Sequence, residues 1–397
     1  MITAMAYLAT WALFFEISLQ SRRQKAVRFF AVNSSLVLAI VGVELSAMMI
    51  DYRHLFGRQV QPWENTKNLL DRELIHIHRP NYRATGQLTG GDLSRRRIGA
   101  PALTVRPYDV AYDRHGFRND VNYDRVDCIV IGDSFVEAGN VLSDELSTHR
   151  IASETGLLVA NLGQSYYGPQ QELEVLKRFG LPLQPRICVW LFFEGNDLGD
   201  VWRYQEFASS WPRSVANYSS WKERSFTRNA FTWIATKFKD STDLITTERS
   251  GLFSASTGQQ RLWFGYSGLN LGAREKEAIE ITAASISEAY ALCRQRDIQF
   301  IFAFAPTKYR VYSDLCGFDE DSPIQGWTVN TLPEQLAETI RAISGEIEFL
   351  DLTTSLRDAA MTGQLVYYAD DTHWSPEGHA IVGRAISNVI LAQTDVP

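Results

Sequence analysis

Six residues have the types and order needed for acyl chemistry on a serine: Ser134, Gly163, Asn196, Asp370, Asp371 and His373. Serine is a weak nucleophile until a base takes its proton during attack, and neutral imidazole is suited to that near pH 7. The imidazole needs an acceptor on its other nitrogen to fix the tautomer and stabilise the imidazolium. Either Asp370 or Asp371 can serve. A tetrahedral oxyanion needs hydrogen-bond donors, each worth ~3–4 kcal/mol in the transition state. The N–H groups of Ser134 and Gly163 and the side-chain amide of Asn196 are three candidates. Gly132-Asp133-Ser134 alone is an ordinary turn sequence. Its meaning depends on the elements that bring the other residues to it.

Those elements read as an alternation. Cys128–Ile131 has the length and β-branched content of a buried strand, and sequence of helical period follows across Val141–Gly156. LLVANLG is a second strand, ending at Gly163, and the helix after it runs from about Pro169 to Phe179, with Pro near its start and Gly180 past its end. RICVWLFF has little alternation, as expected of a strand buried on both faces, and it stops at Gly195-Asn196-Asp197. Phe300–Phe304 and Glu348–Leu352 continue the strands, while Ala273–Gln295, Pro333–Ser344 and Pro376–Leu391 continue the helices. The fold class is α/β, a parallel sheet covered by helices on both faces. Such sheets hold ligands at their carboxyl edge, where a serine at one strand end can meet a histidine 239 residues later.

GDS at the first strand, NLG at the second, GND at the third and D-x-x-H near the end resemble, in that order, the four blocks of the SGNH hydrolase superfamily (GDSL-type esterases and lipases). The resemblance covers about 127–394, interrupted by 199–271. It implies a flavodoxin-like fold with Ser134 as nucleophile, Gly163 and Asn196 in the oxyanion hole, and Asp370 with His373 completing a triad. DTHWSPEG, with APTK and Val311-Tyr312 upstream, is also similar to the SGNH-like acetyltransferases of alginate and related exopolysaccharides. That second resemblance would choose Asp371. Asp370 is the expectation here, with Asp371 the alternative.

The remaining sequence sets the context. Of the 397 residues 45% are hydrophobic and 21% charged, which describes a foldable globular chain, and a net charge of −7 argues against nucleic acid as the main partner. The four cysteines have neither zinc-type spacing nor disulfide density, and they read as buried free thiols. No cofactor or metal is expected. His76 and His78 share a strand face but have no carboxylate or cysteine at a telling distance, so they read as part of a solvated edge strand.

Ile2–Gln20 and Phe29–Ile50 are each about long enough to cross a ~30 Å hydrocarbon core. The basic loop SRRQKAVR between them predicts a membrane hairpin with everything after Ile50 on the extracytoplasmic side. The expected organisation is therefore an anchor over 1–51, a polar extension over 52–125 packing on the catalytic domain, and an SGNH domain over 126–397. Its aromatic-rich insertion, 199–271, is expected to form a cap of short helices over the active-site rim, or a small core. The expected activity is ester hydrolysis through an acyl-enzyme on Ser134, at a cell-envelope carbohydrate or lipid. Transfer of the acyl group to an exported polysaccharide is the close alternative, and a catalytically silent polysaccharide-binding scaffold is the third reading.

Overall fold

The structure, a computed structural model, describes residues 11, 21–47, 69–95, 100, 103, 105–210, 225–231, 234, 249–267 and 270–393. Its centre is a five-stranded parallel sheet of β1 (Cys128–Gly132), β2 (Val159–Gly163), β3 (Ile187–Phe193), β4 (Gln299–Ala305) and β5 (Glu348–Asp351). The strand order is β5-β4-β3-β1-β2. Order reverses at β1, which has β2 on one side and β3 on the other. A doubly wound sheet opens its ligand crevice at that point.

Every residue of β1, β2 and β3 is buried. The unbroken apolar runs follow from this, because alternate side chains must satisfy two helical layers. Cys128, Val130, Val189, Leu191, Ile301 and Ala303 face Ile151, Leu356 and Ile386. Ile129, Ile131, Trp190, Phe300 and Phe302 face Leu173, Ile286 and Leu336. Full burial of one such large side chain is worth about 1.5–3 kcal/mol, so the strands carrying the site are the most firmly held part of the molecule.

Several expectations about the flanks change. The basic stretch Arg22–Arg28 is no inter-helix loop: it forms the first turns of a single helix, Arg22–Ala47. That helix is long and apolar enough to cross a membrane. Its 26 residues span about 39 Å. The first expected span, Ile2–Gln20, lies outside the described residues apart from Trp11, whose ring packs edge-on against Phe29. Glu44 finds partners far along the chain, accepting from Ser225 Oγ at 2.7 Å and from the Phe226 and Thr227 N–H groups at 2.9 Å. It thus satisfies N–H groups that open a helical turn and would otherwise lack acceptors.

The chain divides into two compact units, one of 1–60 with 216–242, the other of 61–215 with 243–397. The two units divide the 199–271 insertion between them. Its start continues a 14-residue helix, Asp197–Ser210, and its end is a hairpin, Ser250–Ala255 with Gly258–Trp263, extended by Cys316–Phe318. Phe253, Leu262 and Phe264 join the main core and Trp263 packs on Leu93 and Ala100. Phe253 is buried from the first hairpin strand, and Leu262, Trp263 and Phe264 are buried in succession at the end of the second. Trp211, Tyr218, Trp221 and Trp233 lie outside the described residues.

His76 and His78 are also buried, which corrects the solvated-strand reading. His78 Nε2 lies 2.9 Å from Glu137 Oε1, a partner too distant in sequence for spacing to reveal. Cys128, Cys188 and Cys293 are buried free thiols, and Cys316 is a half-buried one.

Candidate active site

β1 ends at Gly132, and Asp133 caps a one-turn helix, Ser134–Glu137, by accepting from the Phe135 N–H at 2.9 Å. As first helical residue, Ser134 has an N–H without an intrahelical acceptor. Gly163 lies directly beside Gly132 in the β1–β2 register. A Cβ at Gly163 would sit 2.4 Å from the Glu137 nitrogen, so glycine here is what lets β2 approach the serine's turn. Its N–H, expected in the oxyanion hole, instead donates to Asn161 Oδ1 at 3.0 Å. The local fold accounts for that glycine without any contact to substrate.

His373 reaches the serine from the loop before the final helix, with Nε2 2.9 Å from Ser134 Oγ. Its Nδ1 lies 2.6 Å from Asp371 Oδ1, and the same oxygen accepts the His373 backbone N–H at 3.1 Å. This is a local turn in which a carboxylate bonds the chain two residues on. It corrects the choice of Asp370. The Asp370 carboxylate points the other way and accepts the Gly91 and Leu103 N–H groups, both at 3.0 Å. Asp370 therefore ties Gly91 and Leu103 to the loop while Asp371 orients the ring.

Two residues absent from the sequence reading complete the arrangement. Arg106 Nη2 holds the second Asp371 oxygen at 2.5 Å, and its guanidinium lies 3.6 Å from the Tyr368 ring centre. Asp92 accepts from the Thr372 N–H at 2.7 Å and from its hydroxyl at 2.8 Å. A signal for Arg106 existed: in Val105–Ala111 it occupies an inward position of an alternating strand, beside inward Tyr108. A buried arginine needs a carboxylate partner. Asp92, Asp371 and His373 each offer a ligand atom within 4.8 Å of the others, the spacing of a metal site. Each is already committed: to Thr372, to Arg106 and the ring, and to Asp371.

Charge follows geometry. Burial opposes ionisation of Asp371, but the His373 charge and hydrogen bond, with Arg106, hold its carboxyl well below the usual range. For His373 burial opposes the charged ring, yet Asp371 outweighs it, with help from Asp92 and Asp133, and the ring's pKa is raised. Lys308 runs beneath the loop, its Nζ donating to the carbonyls of Trp263 at 2.9 Å, Tyr368 at 2.6 Å and Ala369 at 3.3 Å. Burial lowers it to about 8.

Asn196 lies at the end of β3, where its Nδ2 donates to Asp200 Oδ2 at 2.6 Å and its side chain also bonds Asp133. Burial raises the pKa of Asp133 and brings Asp200 to about 6. Burial, with repulsion from neighbouring carboxylates such as Asp133 and Asp200, pushes Glu172 and Asp197 well above the carboxylate range. The amide is thus aimed by carboxyl groups whose ionisation the interior resists. Ser134 Oγ also lies 3.3 Å from Asp133 Oδ2, a weaker alternative to its bond with the imidazole.

The arrangement can move a proton from Ser134 Oγ to His373 Nε2 while Asp371 steadies the resulting charge. Comparison with known proteins places it in context. Residues 259–397 match the family model "SGNH hydrolase-like domain, acetyltransferase AlgX". The chain is 24% identical over 125 residues to "Probable alginate O-acetylase AlgJ" of Pseudomonas fluorescens, covering 32% of this chain and 30% of that protein. It is 32% identical over 98 residues to the protein of the same name in Azotobacter vinelandii, covering 24% of this chain and 23% of that one. The matches thus span less than a third of either relative. A solved acetylxylan esterase variant from Geobacillus stearothermophilus aligns with TM-score 0.36 and 12% identity, over 68% of this chain and 96% of that one. The chain thus has an α/β fold built on a parallel sheet, and residues 259–397 are similar to an SGNH hydrolase-like acetyltransferase domain.

Proposed function

We propose that this SGNH-type chain is an O-acyltransferase that moves an acetyl or other short acyl group onto an exported polysaccharide through an acyl-enzyme on Ser134. The observation carrying the chemistry is the unbroken chain of contacts from Asp371 to His373 to Ser134, at 2.6 and 2.9 Å. Ser134 Oγ attacks the donor ester carbonyl as His373 Nε2 takes its proton. The tetrahedral intermediate collapses, and His373 returns the proton to the departing alcohol. An acceptor hydroxyl then gives its proton to His373 and attacks the acyl-serine, and Ser134 is regenerated. We assign the oxyanion to the Ser134 N–H and to the Asn196 amide, which must exchange a carboxyl partner to reach it. The alginate O-acetylase relatives favour a sugar hydroxyl over water as acceptor.

Hydrolysis shares the first half of this sequence, with water in place of the sugar, and is the second reading. We assign the anchor to a hairpin of 1–51, with 52–125 packed on a catalytic domain of 126–397 on the extracytoplasmic side of the cell membrane. The insertion, 199–271, is assigned to the rim of that domain's active site. The full chain in detergent, given a short acyl ester with and without oligosaccharide, separates the readings. Acyl-oligosaccharide that appears only with intact Ser134 supports transfer. Free acid formed at the same rate with and without acceptor supports hydrolysis. A wild-type chain that neither turns over ester nor labels with a fluorophosphonate at Ser134 overturns both.

A further inference from the structure

Lys308 is buried, at 4% exposure, although no step of the acyl transfer uses it. It opens a short helix, Lys308–Tyr312, just after β4. Thr307 caps that helix by accepting from the Arg310 N–H at 3.3 Å, and the Thr307 N–H donates to Glu194 Oε2 at 2.8 Å. The lysine therefore starts from a fixed point at the end of the sheet. Its Nζ gives a hydrogen bond to each of three carbonyls, those of Trp263, Tyr368 and Ala369. An ammonium has a donor for each of them, whereas a neutral amine is one short. Taking an ammonium out of water is costly, so its use here calls for a reason.

The three carbonyls belong to two segments that meet at the site. Tyr368 and Ala369 enter the loop that carries Asp371 and His373. A Tyr367–Trp374 bridge closes the neck of that loop, and the Tyr368 N–H donates to the His373 carbonyl at 3.3 Å. Trp263 ends the hairpin, and its N–H donates to the Ala369 carbonyl at 2.9 Å. One nitrogen thus joins the end of β4, the hairpin and the entering side of the histidine's loop. Asp92 holds the leaving side at Thr372.

Burial, the largest influence on the lysine, opposes its charge and lowers its pKa to about 8. Asp370 and Asp371 on the loop, Asp92 on the turn Asp92–Arg95 and Cys316 on the hairpin's third strand favour the ammonium. Cys316 is itself pushed up to about 12 by burial and stays a neutral thiol below that.

We infer that Lys308 is a positioning residue for the proton relay: its ammonium, by holding all three carbonyls, sets the loop on which Asp371 and His373 meet Ser134, and loss of one proton to solvent frees a carbonyl and loosens that loop. The role rests on Ser134 being the nucleophile proposed above. A misplacement of about 1 Å at a reacting group costs on the order of 10² in rate, so a loosened loop is felt at the 2.9 Å contact between His373 and Ser134. The working form is the charged one. Activity is therefore present below about 8 and lost as pH rises through that value, which gives the site an upper limit besides the lower one set by His373.

The pH dependence of serine labelling tests this. The full chain in detergent is reacted with a fluorophosphonate from about pH 6 to 10, and the limiting rate and the half-saturating probe concentration are followed. The wild-type rate should rise as His373 loses its proton and fall again, about tenfold or more, with a midpoint near 8. Lys308→Met keeps the stem without a donor. Its limiting rate at neutral pH should be down about tenfold, its half-saturation within about twofold, and its alkaline limb gone. Lys308→Arg, charged throughout, should recover most of the rate and carry the limb out of the measured range. A lysine that only packs would lower the rate and leave the limb in place. A wild-type rate that stays level above pH 8, or a limb unmoved in either variant, overturns the inference, and Lys308→Arg decides alone if Lys308→Met does not fold. A wild type that never labels at Ser134 overturns the acyl chemistry and this role together, whereas a labelled wild type whose limb ignores Lys308 overturns only this role.

Discussion

Arg106 grips the oxygen of Asp371 that His373 leaves free, at 2.5 Å, so the carboxylate is clamped between a permanent and a transient cation. Replacing Arg106 with Met removes the permanent one. The carboxylate can then rotate, and the imidazolium no longer shares its counter-ion. We expect kcat for acyl transfer to fall at least tenfold and the acid limb of the pH–rate profile to move to higher pH. Arg106→Lys should restore part of the rate but not the two-point geometry. A rate loss without any displacement of the limb would assign Arg106 a packing role on Tyr368 alone.

Adjacent aspartates with opposite orientations predict opposite phenotypes. Asp371→Asn leaves His373 with the wrong tautomer and should lower kcat by about 10³–10⁴, with Tm little changed. Asp370→Asn removes the charged acceptor of the buried Gly91 N–H and the part-buried Leu103 N–H and should cost stability, about 1–3 kcal/mol by denaturant unfolding. Its pH–rate profile should keep its shape. Equal kcat losses in the two variants would contradict the assignment.

The acid limb of wild-type activity should lie above the ordinary histidine value of 6.5, since the ring acts as base only when neutral and its pKa is raised. Activity is then present at higher pH and lost as pH falls through that raised value. Measuring kcat/KM from pH 5 to 9 on a small ester checks this, and a limb below 6.5 would count against it.

Asp200, although paired with Arg203, carries a stability signature opposite to the usual one for a salt-bridged carboxylate, because burial outweighs the pairing. Its pKa is about 6 folded against 3.8 for the free side chain, mainly because of burial. Between those values the folded state holds the extra proton, so stability falls as pH rises from about 4 to 6. The wild type should lose on the order of 2–3 kcal/mol across that window through this group alone. Asp200→Asn should flatten that part of the curve in urea titrations at a series of pH values, and an unchanged curve would refute the assignment.

The sheet was legible because β1, β3 and β4 are buried on both faces and written as continuous apolar runs, which leaves little ambiguity once helices separate them. The ends of its elements were less so: Pro169–Val175 passes into a wider turn, Leu176–Gly180, that no local signal marks. Ser134 and His373 could be singled out because each lies in a turn at an element's edge. Choosing between Asp370 and Asp371 required the third dimension. Both carboxylates are buried, and what separates them is that Gly91 and Leu103, some 270 residues earlier, claim the first. Arg106, Asp92 and the His78–Glu137 pair were hidden for the same reason, since their partners are long-range and spacing encodes only neighbours.

The anchoring of Asp370 to Gly91 and Leu103 has a practical corollary. A fragment cut to begin at the nucleophile's strand would keep all five parallel strands and every sequence block that marks the fold. It would lack Asp92 and Arg106, and the loop bearing His373 would lose its moorings. A truncation series should therefore separate secondary-structure content from probe labelling, with the second vanishing while the first persists. Whoever trims this chain for crystallisation or evolution must keep the unassuming stretch upstream, because it behaves as a built-in jig for the imidazole.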